Sequence, residues 1–106
     1  MLKTLIIRIA LLLIVSHAAI ADSSPIKVTM QLRWQHQFQF AGYYAALDKG
    51  FYKDAGLDVT LKEGGSKVSA IDEVLQRRAD FGVSNFGLVK DYLDGKPVLM
   101  LARIFQ

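Results

Sequence analysis

Two different periods of apolar residues follow one another along residues 26–47. From Ile26 to Arg33, apolar and polar side chains alternate, which is the two-residue period of a β-strand. From Phe40 to Leu47, the apolar residues fall three and four positions apart, which is the period of one helix face. We therefore predict a strand over about 26–32 and a helix over about 40–49, with Gly50 ending the helix in a left-handed conformation.

Strand and helix patterns continue to alternate along the rest of the chain. The further predicted elements are a helical turn over 51–56, a strand over 57–62, a helix over 67–78, a strand over 80–84, a helix capped by Asn85 and ended by Gly95, and an apolar strand over 98–102. This alternation predicts an α/β fold with a mainly parallel sheet, right-handed crossovers and helices on both faces.

The first 21 residues have the pattern of an export signal. A positively charged start precedes a short apolar run, 9–15, and the tripeptide Ala-Ile-Ala that ends at Ala21 fits a small-x-small cleavage site. The apolar run is shorter than the about 20 residues that span a bilayer. An uncleaved anchor is the alternative, which the Ala-rich exit disfavours. We expect cleavage after Ala21 and a periplasmic mature chain, residues 22–106.

Removing the signal changes the charge of the chain. Two of the 13 Lys and Arg residues lie in the signal, so 11 remain against 10 Asp and Glu, and the net charge falls from +3 to about +1. No basic stripe remains to indicate nucleic acid binding. The chain has no Cys and therefore offers neither disulfides nor a thiolate metal site. We expect contact with a membrane only through a partner or a downstream segment.

Polar and aromatic residues follow the predicted strands at the edge of the sheet where ligands bind in open α/β folds. The candidate ligand-binding residues are Trp34, Gln37, Gln39, Gly64, Gly65, Ser66, Ser84 and Asn85. The Trp ring offers a flat π surface for an aromatic or cationic ligand, and the Gln amides offer both donors and acceptors. The Gly-Gly-Ser and Ser-Asn segments precede predicted helix starts, which favour an anionic or acceptor group.

Each of these candidates also has an ordinary structural interpretation. Trp34 could cap the core, and the two Gln residues could lie in a solvated loop. Ser66 and Asn85 could serve simply as helix caps, without binding a ligand. His36 has no second ligand nearby in sequence, so no metal site is predicted, and no carboxylate pair indicates catalysis. The aromatic residues expected to pack rather than to bind are Tyr43, Tyr44, Phe51 and Tyr52.

Several motifs in the mature chain resemble one protein family. They are Trp34 followed by Gly42, the run Lys49-Gly-Phe-Tyr-Lys-Asp-Ala-Gly-Leu-Asp-Val59, Gly64-Gly-Ser66, Ala79-Asp-Phe-Gly82 and Gly95-Lys-Pro-Val98. The chain resembles the NMT1/THI5-like (SsuA/THI5-like) family, which comprises periplasmic solute-binding proteins of ABC importers and fungal thiamine-pyrimidine synthases. The resemblance implies a type II periplasmic-binding-protein fold, in which two α/β lobes close on a small ligand. This chain resembles the larger part of the first lobe, so we expect it to be truncated.

The resemblance implies three functions that differ in class. The first is the substrate-binding component of an ABC importer for a small nitrogen-containing solute, such as a thiamine pyrimidine precursor, with an ABC permease as partner and no cofactor. The second is the sensing domain of a membrane-bound histidine kinase or cyclase, because the Gln-rich segment 36–40 resembles members fused to such signalling modules. The third is a thiamine-pyrimidine synthase.

The residues at the family's key positions disfavour the enzyme and leave the ligand open. The resemblance implies a Lys that binds pyridoxal phosphate and a consumed His at positions that here hold Ser84 and Leu88, neither of which can do that chemistry. We therefore expect that this chain is not an enzyme. Where thiamine-precursor binders of the family carry Asn and His residues, this chain has Gln37, Gln39 and Phe40.

Overall fold

The first strand, β1, forms where the alternating pattern predicts it, at Ile26–Gln31, and it lies in the centre of the sheet. The structure is a computed structural model, and it describes residues 24–104. The predicted export signal and its cleavage site lie outside the described residues. The remaining elements are a 3₁₀ turn (Phe38–Phe40), α1 (Ala41–Asp48), α2 (Phe51–Asp54), β2 (Leu57–Lys62), α3 (Ala70–Leu75), β3 (Phe81–Gly82) and α4 (Gly87–Leu93).

The three strands form a parallel sheet in the order β2-β1-β3, which confirms the predicted α/β class. β1 pairs with β2 along six positions, from Ile26 opposite Leu57 to Gln31 opposite Lys62. The chain then crosses to the other side of β1 to form β3. The carboxyl ends of β1 and β3 therefore flank the point where the direction of winding reverses, which is where open α/β sheets bind ligands.

β3 is shorter than the predicted strand over 80–84, and side-chain and loop contacts extend its attachment. Its two residues pair with Met30 and Gln31. Before the strand, the Thr29 amide donates to Asp80 Oδ2 at 2.7 Å, and the Asp80 amide donates to the Thr29 carbonyl at 2.9 Å. After it, the Val83 amide donates to the Gln31 carbonyl at 2.8 Å. These bonds hold residues 80–83 on the sheet.

Helix α3 is also shorter than its predicted range, 67–78, because its start is set by a different serine. The Ser69 hydroxyl accepts from the Asp72 amide at 3.2 Å and caps the helix, while residues 65–68 form a turn closed by a bridge between Gly65 and Val68. The interpretation of Ser66 as a helix cap is therefore wrong. The helix ends at Leu75, and Arg77, two residues later, has a left-handed backbone with φ of 56°.

The predicted ends of the earlier helices are confirmed. Gly50, with φ of 77°, follows α1, and Gly56, with φ of 74°, closes the turn after α2. Glycine suits both positions because a Cβ disfavours this backbone conformation. The buried apolar residues of the described chain are Leu32, Phe40, Val59, Ala70 and Ala79.

The predicted strand over 98–102 does not form. Those residues adopt no regular structure, and the side chains of Leu99, Met100 and Leu101 are exposed. A strand needs a neighbouring backbone to pair with and apolar layers to cover it. In the described part of the chain, β3 offers only two paired residues, which is too short an edge to align a further strand. Within residues 24–104, no helix combines the length and the apolar character needed to cross a membrane.

Candidate ligand crevice

Three segments leave the carboxyl edge of the sheet and carry seven of the eight predicted ligand-binding residues. We call them the β1 exit loop (residues 32–37), the β2 exit loop (residues 63–69) and the β3 exit loop (residues 83–86). Of the eight candidates, Gln39 alone lies just beyond these loops, in the 3₁₀ turn that follows the first one. The topology thus brings the predicted residues to one edge of the sheet.

The β1 and β2 exit loops are bonded to each other. The Leu32 amide donates to the Lys62 carbonyl at 2.8 Å and continues the strand ladder by one residue. Beyond it, the Gly64 amide donates to the Trp34 carbonyl at 3.0 Å. A Cβ at Gly64 would lie 2.2 Å from the Leu32 carbonyl oxygen, so only glycine permits this approach. Gly64 therefore has a structural role in the crevice: it holds the backbone that carries Trp34.

Trp34 lies in the bend that follows β1, and 41% of its surface is exposed. Leu32, two residues earlier, is by contrast completely buried. The indole is thus placed at the rim of the sheet, where a planar molecule could reach it.

Gln37 and Gln39 are both exposed, on either side of the strongly exposed Phe38. Gln37 has an extended backbone, and its carbonyl accepts from the Phe40 amide at 3.0 Å, which starts the 3₁₀ turn. Gln39 lines an open depression of about 470 Å³ together with Phe38, Ala41 and Gly42. Their amide groups are free to face solvent or a ligand at this rim.

Gln31 is a buried polar residue that the alternating pattern places on the solvated side of β1. Its side chain is 1% exposed, and Nε2 donates to the Glu63 carbonyl at 2.9 Å and to the Leu32 carbonyl at 3.1 Å. Its Oε1 is buried without a hydrogen-bond partner among the described residues. An unmade bond of this kind costs about 1–3 kcal/mol. Nothing in the sequence period could have revealed this residue, because it is buried by the two loops.

His36 forms two contacts that sequence reasoning missed. Its backbone amide donates to Glu63 Oε1 at 2.9 Å, and its Nδ1 lies 2.9 Å from the Tyr44 hydroxyl. The two rings are tilted, with centroids 5.6 Å apart. Tyr44 is predicted only to pack. Its separation of eight residues from His36 gives no sequence signal for this contact, because the 3₁₀ turn between the two residues sets their distance. Among residues 24–104, no group of three potential metal ligands is found.

The β3 exit loop supplies the last two candidates. The Asn85 side chain accepts from the Gly87 amide at 2.9 Å, but the N-cap position of α4 is Phe86, one residue after the predicted Asn85. Ser84 is half-buried beside it. Asn85 Oδ1 is therefore occupied by the start of α4, and its amide nitrogen remains as the group that a ligand could meet.

An ion-pair cluster ties β2 to α3 behind the crevice. Lys62 Nζ donates to Glu73 Oε2 at 3.0 Å, and Arg78 Nε donates to Glu73 Oε1 at 3.0 Å. These bonds lower the pKa of Glu73 from 4.5 to about 2, and the bond from Arg78 makes the largest contribution. Since Lys62 is the last residue of β2, the cluster positions the start of the β2 exit loop.

Comparison with models of protein families finds a match for this chain. A family model described as NMT1/THI5 like matches residues 37–106, which is 70 of the 106 residues. The matched range contains seven of the eight candidate residues, from Gln37 to Asn85, and begins three residues after Trp34. No curated protein and no solved structure matches the chain.

Proposed function

This chain belongs to the NMT1/THI5-like family, and we propose that it acts as the periplasmic substrate-binding component of an ABC importer for a small nitrogen-containing solute. Membership of this family is consistent with a solute-binding role for the chain in general. The observation that carries the proposal is the half-exposed Trp34 at the carboxyl end of β1, held by the Gly64 amide.

The chemistry at the sheet edge supports a planar, polar ligand such as a thiamine pyrimidine precursor. An aromatic ring can stack on the Trp34 indole, a contact worth about 1–3 kcal/mol for a base-like ring. Gln37 and Gln39 can both donate to and accept from ring nitrogens and exocyclic amines. Ser84 and the Asn85 amide are available from the other side of β1. An ABC permease would then receive the solute from the closed protein.

We propose binding without chemical conversion. A pyrimidine synthase would need a Lys amine for a Schiff base and an imidazole, and the corresponding positions hold Ser84 and Leu88. A hydroxyl and an isobutyl group can contact a ligand, but neither can form the covalent intermediate.

Export is the second part of the proposal. The Ala-Ile-Ala site before Asp22 should be cleaved on transport across the membrane. N-terminal sequencing of the exported protein is expected to begin at Asp22. Recovery of a chain that begins at Met1 from the membrane fraction would contradict this prediction.

Substitution of Trp34 tests the binding proposal. In the full-length protein, we expect Trp34→Ala to weaken binding between about fivefold and somewhat over a hundredfold, because one stacking contact is lost. The measurement is calorimetric titration with a panel of pyrimidines, sulfonates and amines, together with a melting curve of each variant.

Two controls define the outcome. Trp34→Phe keeps an aromatic face and should retain most of the affinity, and Phe51→Ala removes an exposed aromatic ring on α2 and should leave the affinity unchanged. If Trp34 were instead a core residue, its truncation would cost about 3–5 kcal/mol of stability. Unchanged affinity with a collapsed melting temperature would therefore overturn the proposal.

A further inference from the structure

We infer that Glu63 is a positioning residue for Trp34, and that its carboxylate holds the β1 exit loop in the conformation that presents the indole. This inference rests on the proposed function, because that proposal gives Trp34 its contact with the ligand. Glu63 was not among the residues that the sequence singled out, and its role follows from its place between the two loops.

Two consecutive residues of the β2 exit loop hold the backbone at Trp34 and two residues after it. The Gly64 amide donates to the Trp34 carbonyl at 3.0 Å, and Glu63 Oε1 accepts from the His36 amide at 2.9 Å. The second bond has a carboxylate as its acceptor, and such charge-assisted bonds are about twice as strong as neutral ones. The backbone on the carboxyl side of Trp34 is therefore fixed by one backbone bond at Trp34 itself and by the Glu63 side chain two residues later.

Glu63 can serve as an anchor because its own backbone is held. Its carbonyl accepts from Nε2 of the buried Gln31 at 2.9 Å, and the residue before it ends a strand paired along six positions. Neither of these attachments uses the carboxylate. Removing the carboxylate should therefore release the β1 exit loop while leaving the end of β2 in place.

The ring of His36 adds a second attachment of the same loop. His36 Nδ1 lies 2.9 Å from the Tyr44 hydroxyl, which belongs to α1. That contact fixes a side chain that can rotate about its own bonds, whereas the bond to Glu63 fixes the backbone two residues from Trp34. The backbone bond is thus the one that decides how the indole is presented. A loop that is ordered before the ligand arrives loses less entropy on binding, and so binds more tightly.

The indole itself reports whether the inference is correct. Trp34 is the only Trp in the 106 residues, and subtracting the emission of Trp34→Phe in each background isolates its signal. In the full-length protein without ligand, we expect Glu63→Ala to increase acrylamide quenching of this signal and to shorten its anisotropy decay. Affinity for the pyrimidine of the panel that binds the unsubstituted protein most tightly should fall about five- to thirtyfold, which corresponds to one newly mobile residue.

Two further variants separate positioning from loss of charge or of stability. Glu63→Gln keeps an oxygen acceptor for the His36 amide and should restore most of the affinity and the low quenching. Asp58→Ala removes the same charge from an exposed position on β2, the strand that precedes Glu63, away from the exit loop, and should change neither. If Glu63→Ala fails to fold, Glu63→Met takes its place, because it keeps the length of the side chain but has no oxygen acceptor for the His36 amide; quenching no higher than in the unsubstituted protein would then contradict the inference.

The remaining outcomes each overturn a distinct idea. Lower affinity with unchanged quenching would mean that Glu63 contacts the ligand directly and does not position Trp34. Unchanged quenching and unchanged affinity would remove any role for the carboxylate. If Trp34→Ala leaves affinity intact, the proposed function fails, while the quenching comparison, made without ligand, still decides whether Glu63 orders the loop.

Discussion

Two apolar regions of this chain have different structural outcomes. In the first, residues 26–85, β1 and β2 pair along six positions, and Leu32 at the end of β1 is completely buried. In the second, residues 86–104, apolar side chains are also frequent, yet Leu99 is 78% exposed and Phe86 is exposed as well. The difference shows that an apolar sequence becomes a core only where a neighbouring backbone and a second layer are available.

The bonds of the two regions differ in the same way. In the first region, several of them join elements that are distant in sequence, as in the Lys62–Glu73 ion pair and the Thr29–Asp80 hydrogen bond. In the second, the ion pairs are local: Lys90 pairs with Asp94, and Lys96 pairs with Asp91 at 2.6 Å. Exposed local pairs contribute about 0–1 kcal/mol, so we expect the second region to open at lower free energy than the first.

The largest expected effect compares the same substitution in both regions. Leu32→Ala should lower the free energy of unfolding by about 2–5 kcal/mol, because it leaves a cavity at the buried end of β1. Leu99→Ala should change it by less than about 0.5 kcal/mol, because the side chain is already exposed. Urea unfolding of the two variants of this chain is the measurement. Equal costs would show that residues 86–104 are packed as firmly as the sheet.

The next effect tests the contact between the exit loops. Gly64→Ala should cost about 1–3 kcal/mol, because its Cβ would meet the Leu32 carbonyl oxygen at 2.2 Å. Gly42→Ala is the matched control: it lies in α1 with no atom within 4 Å of its Cβ, and it should stabilise the chain by about 0.5–1 kcal/mol. A neutral Gly64→Ala in the same unfolding measurement would mean that the two loops can move apart freely.

The smallest effect is a dependence of stability on pH in the first region. Hydrogen bonds from Arg78 and, to a smaller extent, from Lys62 hold the pKa of Glu73 at about 2, below its ordinary value of 4.5. The folded state therefore binds the proton less readily than the unfolded state, and the stabilisation is complete above about pH 4.5 and lost as the pH falls towards 2. Urea unfolding from pH 6 to pH 2 should show this loss, and Glu73→Gln should have a shallower slope in that window. An identical slope in the variant would contradict the assignment.

The candidate site could be predicted in its position but not in its internal contacts. Trp34, Gly64 and Asn85 follow predicted strands, and parallel strands necessarily end at one edge of a sheet. The bond from Glu63 to His36 and the burial of Gln31 could not be predicted, because both depend on how two loops pack. The error at Ser66 has a similar cause, since Ser66 and Ser69 are equally good caps in sequence and the bridge between Gly65 and Val68 excludes the first.

The sequence alone determined the order of strands and helices, the parallel sheet, and the glycines that end α1 and α2, because period and backbone conformation are local properties of the chain. Only the tertiary structure decided the length of each element at its ends, the exposure of residues 98–102 and the attachment of the Trp34 loop. Those features depend on whether another part of the chain supplies a backbone partner or a layer of side chains, and a local pattern carries no information about that partner.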